Sequence, residues 1–308
     1  MESGTGVELF QPVNRTTEGE YTFARPATTY WRDAWRRLKQ NRTAVVGLAI
    51  IVALFLLATI GPYLCAFSYS DQNLTAQGIN QPPSLKHWFG TDNLGRDLFV
   101  RVLYGARISL AVGIFASLII LVIGVIYGGL SGYLGGKADN IMMRIVDILY
   151  GIPLVLVVIL LMVILKPGLK NVMIAIGATY WISMARIVRG QILSLKEQDY
   201  VMAATTLGAS RRRILFRHLI PNSIGPIIVT VTLSIPQAIF TEAFLSFIGL
   251  GVAAPMASWG ALASEGVNSL RSYPWQLLFP GFAICIAMLA FNFFGDGLRD
   301  ALDPWMRR

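Results

Sequence analysis

The sequence predicts an all-α membrane protein with six membrane-spanning helices, and three observations predict it. Of 308 residues, 55% are hydrophobic and only 14% are charged, where a soluble domain is about a quarter charged. Several apolar runs are long enough to cross a bilayer, which takes roughly 20 residues. The 26 basic residues are also unevenly shared between the segments that join those runs.

Residues 1–28 are polar, with Gly, Thr, Glu and Pro, and read as a disordered tail. Tyr30–Arg42 follows as YWRDAWRRLKQNR. Trp31, Trp35 and Leu38 recur there at helical spacing, with Arg32, Arg36, Arg37 and Lys39 between them. That pattern predicts a basic amphipathic helix lying in the membrane surface, with lipid as its partner. No apolar core precedes residue 43, so no cleavable signal is expected and the first span serves as an uncleaved anchor.

The spans are placed at 43–64, 108–132, 144–165, 170–190, 223–248 and 276–297. Spans three and four are separated by KPGLK, a tight Pro-Gly turn. Span five carries Pro226 and Pro236, each expected to free a carbonyl and bend the axis. The resulting organisation is a tail and interfacial helix (1–42), a first span with an extracytoplasmic loop (43–107), a core (108–298) holding a cytoplasmic loop at 191–222, and a short tail (299–308). With both termini inside, the inner segments hold 19 basic residues and the outer ones 7. Basic residues collect in cytoplasmic loops, so this orientation is favoured. It also accounts for the net charge of +9 without nucleic acid.

Span two ends in GVIYGGLSGYLGG. Gly124, Gly128, Gly132 and Gly136 fall every four residues and predict a packing stripe against another helix, of this chain or of a partner. Cys65 and Cys285 read as free, buried, small residues. His87 and His218 are too far apart in sequence to suggest a metal site. There is no phosphate-binding loop: Gly136-Lys137 is followed by Ala138, and Ser131 stands where the upstream glycine belongs. Among acids within or near the spans, Glu242 stands out, with Asp147 and Asp296 nearer the ends. An intramembrane acid is a functional candidate. A proton-driven carrier needs a chain of them. No catalytic centre and no energy source are legible in the chain.

The stretch DYVMAATTLGASRRRILFRHLIP, Asp199 to Pro221, is too polar for its surroundings. Asp199 is a good N-cap for a short helix over Tyr200–Leu207. Gly208 suits a left-handed turn. Ser210 is placed to cap a basic helix over Arg211–Leu219. Two short helices joined at a glycine corner make a docking element, and loops of this length are uncommon without a function.

This stretch resembles the coupling loop of permease subunits of ATP-binding-cassette importers: Glu-Ala-Ala, three residues, Gly, nine residues, Ile-x-Leu-Pro. Ala203, Ala204, Gly208 and Pro221 fall on the pattern, and Ile220 takes the leucine place. Met202 replaces the glutamate and His218 the isoleucine. His87–Gly113, Glu242–Gly260 and Phe291–Pro304 are similar to segments of the C-type permease of dipeptide and oligopeptide importers. The resemblance covers residue 30 to the end. It implies a type I importer fold with a coupling helix between spans four and five. Implied partners are a homologous second permease in a heterodimer, two ATPase subunits that carry the ATP and Mg, and an extracytoplasmic peptide-binding protein. This chain itself would hold no cofactor, no metal and no catalytic residue. Asp199, Tyr200, Met202, Ala203, Ala204, Leu207, Gly208 and Arg211 are the implied ATPase-docking residues. Glu242 is a candidate for the translocation pathway, where it would meet a peptide amino terminus, or else a buried hydrogen-bonding group. The outward loop GLGVAAPMASWGALASEG is expected near the external mouth. Nickel is the alternative cargo within the family. A stand-alone secondary carrier and a membrane-anchored scaffold are the alternatives outside it.

Overall fold

A computed structural model describes residues 29–75, 77–252 and 256–303; among these every extended regular element is a helix, and the long loop from Cys65 to Asp97 holds one isolated bridge between Thr91 and Asp97. The expectations for the tail at 1–28, for 304–308 and for 253–255 of the outward loop lie outside the described residues.

The surface helix α1 (Tyr30–Gln40) leads through Asn41 into the first span, α2 (Arg42–Leu64). Asn41 caps α2 by accepting from the Ala44 amide. Ala34 and Leu38 of α1 turn inward with Leu298 and Leu302 of the last helix, while Trp31 and Trp35 face outward. Leu38 therefore packs against protein and leaves the outward face to the tryptophans.

The second span, α3 (Leu98–Leu134), is longer than expected, beginning ten residues earlier. Asp97 caps it by accepting from the Val100 amide, and Leu98, Val100, Val102 and Leu103 are buried. The anticipated boundary at 107/108 thus falls inside one helix. At 37 residues it is about 55 Å long, well beyond the hydrocarbon thickness.

The third span is not one straight helix. α4 (Gly136–Tyr150) and α5 (Leu154–Leu165) meet at a bend of 83°. Pro153 lies at the break, and the residue before a proline is steered away from helix. Including this pair, up to six crossings are available, five of them unbroken. The turn after α5 places Lys166 at φ +69° and leads into α6 (Leu169–Lys196), which runs past the expected end at residue 190.

Then come the short α7 (Asp199–Thr206), α8 (Arg211–Arg213), a π-helical turn over Ile214–Leu219, and α9 (Ile220–Asn222). Span five is α10 (Ile224–Phe247). Pro226 sits in its first turn, where no intrahelical donor is needed, so only Pro236 interrupts the ladder. A short α11 (Trp259–Val267) precedes the last span, α12 (Trp275–Leu302).

Two apolar cores hold the helices together. One gathers α3, α5, α6 and α10 with Val201, Ile214, Leu215 and Leu219 of the loop. The other joins α2, the first half of α3, α11 and α12. The cysteines are free as expected, but neither is buried: Cys65 is half-buried and Cys285 exposed.

Candidate coupling site

Only Glu197 and Gln198 separate α6 from α7, so α7 stands at the end of a long packed helix. Gln198, not Asp199, occupies the N-cap; Asp199 is the first helical residue. There its charge still complements the positive end of the helix dipole. Val201 roots α7 in the core at 3% exposure. Met202 and Leu207 stand out at 52% and 88%. Tyr200, Ala203 and Arg211 are exposed too, and Ala204 is half-buried.

The end of α7 is closed by two crossed bonds. The Ala209 amide donates to the Ala204 carbonyl and the Gly208 amide to the Thr205 carbonyl. With Gly208 at φ +79° this is a Schellman motif, in which glycine avoids the cost of a left-handed side chain. A Cβ at Gly208 would meet nothing within 4 Å, so the demand for glycine is conformational. Ser210 then caps α8 by accepting from the Arg213 amide at 3.3 Å. The basic stretch is not one plain α-helix, because its middle is a π turn. Pro221 has no amide to offer the Arg217 carbonyl and its ring crowds that group, which suits a widened turn there. Although Tyr200 is exposed overall, partial desolvation of its phenol pushes it above its ordinary range, against an opposing hydrogen bond with Asn222.

Gly124, Gly128 and Gly132 bring α3 onto α6. A Cβ at Gly128 would run into the Ala185 carbonyl, and one at Gly132 would lie 2.9 Å from the Arg189 carbonyl. Gly136 does not join them. It begins α4 at φ +55° with no neighbour within 4 Å of a Cβ. The helix stops at Leu134, so the four-residue spacing loses its meaning there.

Glu242 is completely buried. Its oxygens accept from Ser109 of α3 at 3.2 Å and Ser246 of α10 at 2.7 Å. Ser109 also accepts from the Trp259 amide of α11. In this conformation the carboxylate is surrounded by serines and has no surface on an open channel.

Sequence reasoning missed two clusters. At the α7 end of the bundle, Asp139 of α4 accepts from both arms of Arg189 of α6 at 2.6 and 2.5 Å and from Ser131 of α3 at 2.5 Å. Close by, Arg186 pairs with Asp147, and Lys196 donates to the Tyr133 carbonyl. At the α11 end, Asp92 takes both Arg96 and Arg101, and Glu265 of α11 reaches the same two arginines. Partners 50 and 164 residues apart leave no local pattern to read.

Residues 120–308 match the model of the binding-protein-dependent transport system inner membrane component. The chain belongs to that family. Residues 29–83 also match the N-terminal membrane domain of oligopeptide transport permease C. The chain is 56% identical over 301 residues to the dipeptide transport system permease protein DppC of Bacillus subtilis, covering 97% of this chain and 92% of that one. It is 52% identical over 300 residues to the oligopeptide transport system permease protein OppC of the same organism, covering 97% and 98%. Among solved structures, an inward-facing form of the MetNI methionine ABC transporter aligns with TM-score 0.51 at 17% identity. That match covers 67% of this chain and 96% of the other. At that identity the likeness speaks to the fold alone. In this chain α7 is a short, largely exposed helix, whereas Glu242 and its serines are buried among the spans.

Proposed function

We propose that this chain is a permease subunit of an ATP-binding-cassette importer of dipeptides or oligopeptides. The observation that carries the reading is α7. It is a short exposed helix, rooted by Val201, closed by the Gly208 turn, and set at the end of α6 with Met202, Ala203 and Leu207 facing outward. Such an element gives a partner a rigid handle. The peptide cargo is supported by relatives at 56% and 52% identity that carry dipeptide and oligopeptide transport names.

In this reading the chain performs no catalysis. ATP, with Mg, binds two partner ATPase subunits, whose closure moves α7. A homologous second permease supplies the other half of the path, and an extracytoplasmic binding protein delivers the peptide. Both termini and α7 face the cytoplasm, as the 19-to-7 bias of basic residues suggests. Asp199, Tyr200, Met202, Ala203, Ala204, Leu207, Gly208 and Arg211 form the docking surface. A ligand or partner shifts a conformational equilibrium only through differential contacts, and this surface is where they would be made.

The test is purification of the assembled complex from native membranes, followed by ATPase assays with and without binding protein and peptide. Stimulation by peptide-loaded binding protein supports the reading. Stimulation by nickel instead of peptide overturns the cargo. Uptake by this chain alone, driven by a proton or sodium gradient, overturns the whole assignment.

A further inference from the structure

We propose that Asp139 and Arg189 are a positioning pair that carries motion of α7 into α3 and α4. The proposal rests on the docking role of α7 given above. A displacement of α7 reaches the end of α6 first, because only two residues lie between them. To move the core it must pass from α6 to its neighbours. The glycine contact of α3 with α6 brings the backbones close, but van der Waals packing alone lets one helix slide or roll on the other.

A guanidinium fork on a carboxylate is different. Its two parallel bonds fix direction as well as distance. Arg189 uses Nε and Nη2 on the two oxygens of Asp139. Asp139 is 5% exposed, so water competes little for it. Ser131 donates to the same carboxylate. One buried group thus ties α3, α4 and α6 together ten residues before α7 begins. The nearby Arg186–Asp147 pair differs in its acid and its geometry. The Asp147 side chain is 54% exposed against 7% for Asp139, while the two arginines are 40% and 32% exposed. It makes a single bond, and exposed pairs of that sort fix little.

The experiment uses the whole importer in vesicles and reads peptide transported per ATP hydrolysed. Asp139→Asn and Arg189→Lys are expected to assemble and hydrolyse ATP while that ratio falls about fivefold or more, the lower end of typical coupling between sites. Ser131→Ala, which removes one bond and no charge, is expected to lower it less. Arg186→Ala serves as the exposed control and should leave the ratio unchanged. A wild-type ratio in Asp139→Asn and Arg189→Lys overturns the proposal. So does a proportional fall of uptake and hydrolysis, which is what a merely structural role gives. Gly208→Val is run alongside. If it uncouples while the pair variants do not, the docking reading stands and this inference falls. If Gly208→Val also keeps the wild-type ratio, the docking reading has failed and takes this inference with it.

Discussion

Arg107 on α3 donates from Nε to the carbonyl of Ala58 on α2 at 2.5 Å, and from Nη2 to the Thr59 carbonyl at 2.7 Å. The cause is four residues further along. Pro62 lies inside α2 and has no amide to close the bond to Ala58. In lipid a freed carbonyl must find a donor within the protein. Arg107 supplies it, with its guanidinium held between the rings of Tyr63 and Tyr104.

Arg107→Leu should therefore cost about 1–3 kcal/mol, the penalty for an unsatisfied buried acceptor. Thermal unfolding of the detergent-solubilised complex measures it. Pro62→Ala restores the intrahelical donor, so the loss on Arg107→Leu should shrink in that background. Equal losses in both backgrounds would break the link between the two residues.

Gly128→Leu should push α3 away from α6, because even a Cβ there meets the Ala185 backbone. Overpacking of this kind costs about 1–3 kcal/mol or more. Gly190→Ala, with open space around its Cβ, should be neutral or slightly stabilising. Melting temperatures of the two variants give the comparison.

Gly208→Val should abolish peptide uptake while ATP hydrolysis persists without its dependence on loaded binding protein. A β-branched residue at φ +79° strains the turn by an order of 1–3 kcal/mol, and the turn sets the angle of α7. Transport and ATPase rates in vesicles check this.

Glu242→Gln should preserve transport of free and N-acetylated peptides in the wild-type proportion, since the side chain bonds to serines and not to an open path. Glu242→Leu should destabilise the fold by about 1–3 kcal/mol, as the serine hydroxyls lose their acceptor. A selective loss of free-amine peptides in Glu242→Gln would return Glu242 to the pathway.

Asp92→Ala should destabilise more than Glu265→Ala. Both arginines rely on both acids, but Asp92 is buried and the Glu265 side chain is 43% exposed. Losing a buried partner costs about 3–5 kcal/mol, and an exposed one far less. Unfolding midpoints would rank them, and the reverse order would refute this account of the cluster at the α11 end.

By itself the sequence determined what depends on near neighbours. Apolar runs located the spans to within a few residues for α2 and α10. Gly208 and Ser210 marked the turn after α7 and the cap of α8, because capping is settled by a handful of adjacent backbone groups. The three glycines from 124 to 132 announced a close helix contact. Tertiary structure decided everything that joins distant positions. It set the 83° bend between α4 and α5 and buried the first turns of α3 against α2, α11 and α12. It also chose Arg189 for Asp139, Glu265 for Arg101 and Arg107 for Ala58. Periodicity and caps act over one or two turns of chain, whereas these pairings exist only once separate helices have packed against one another.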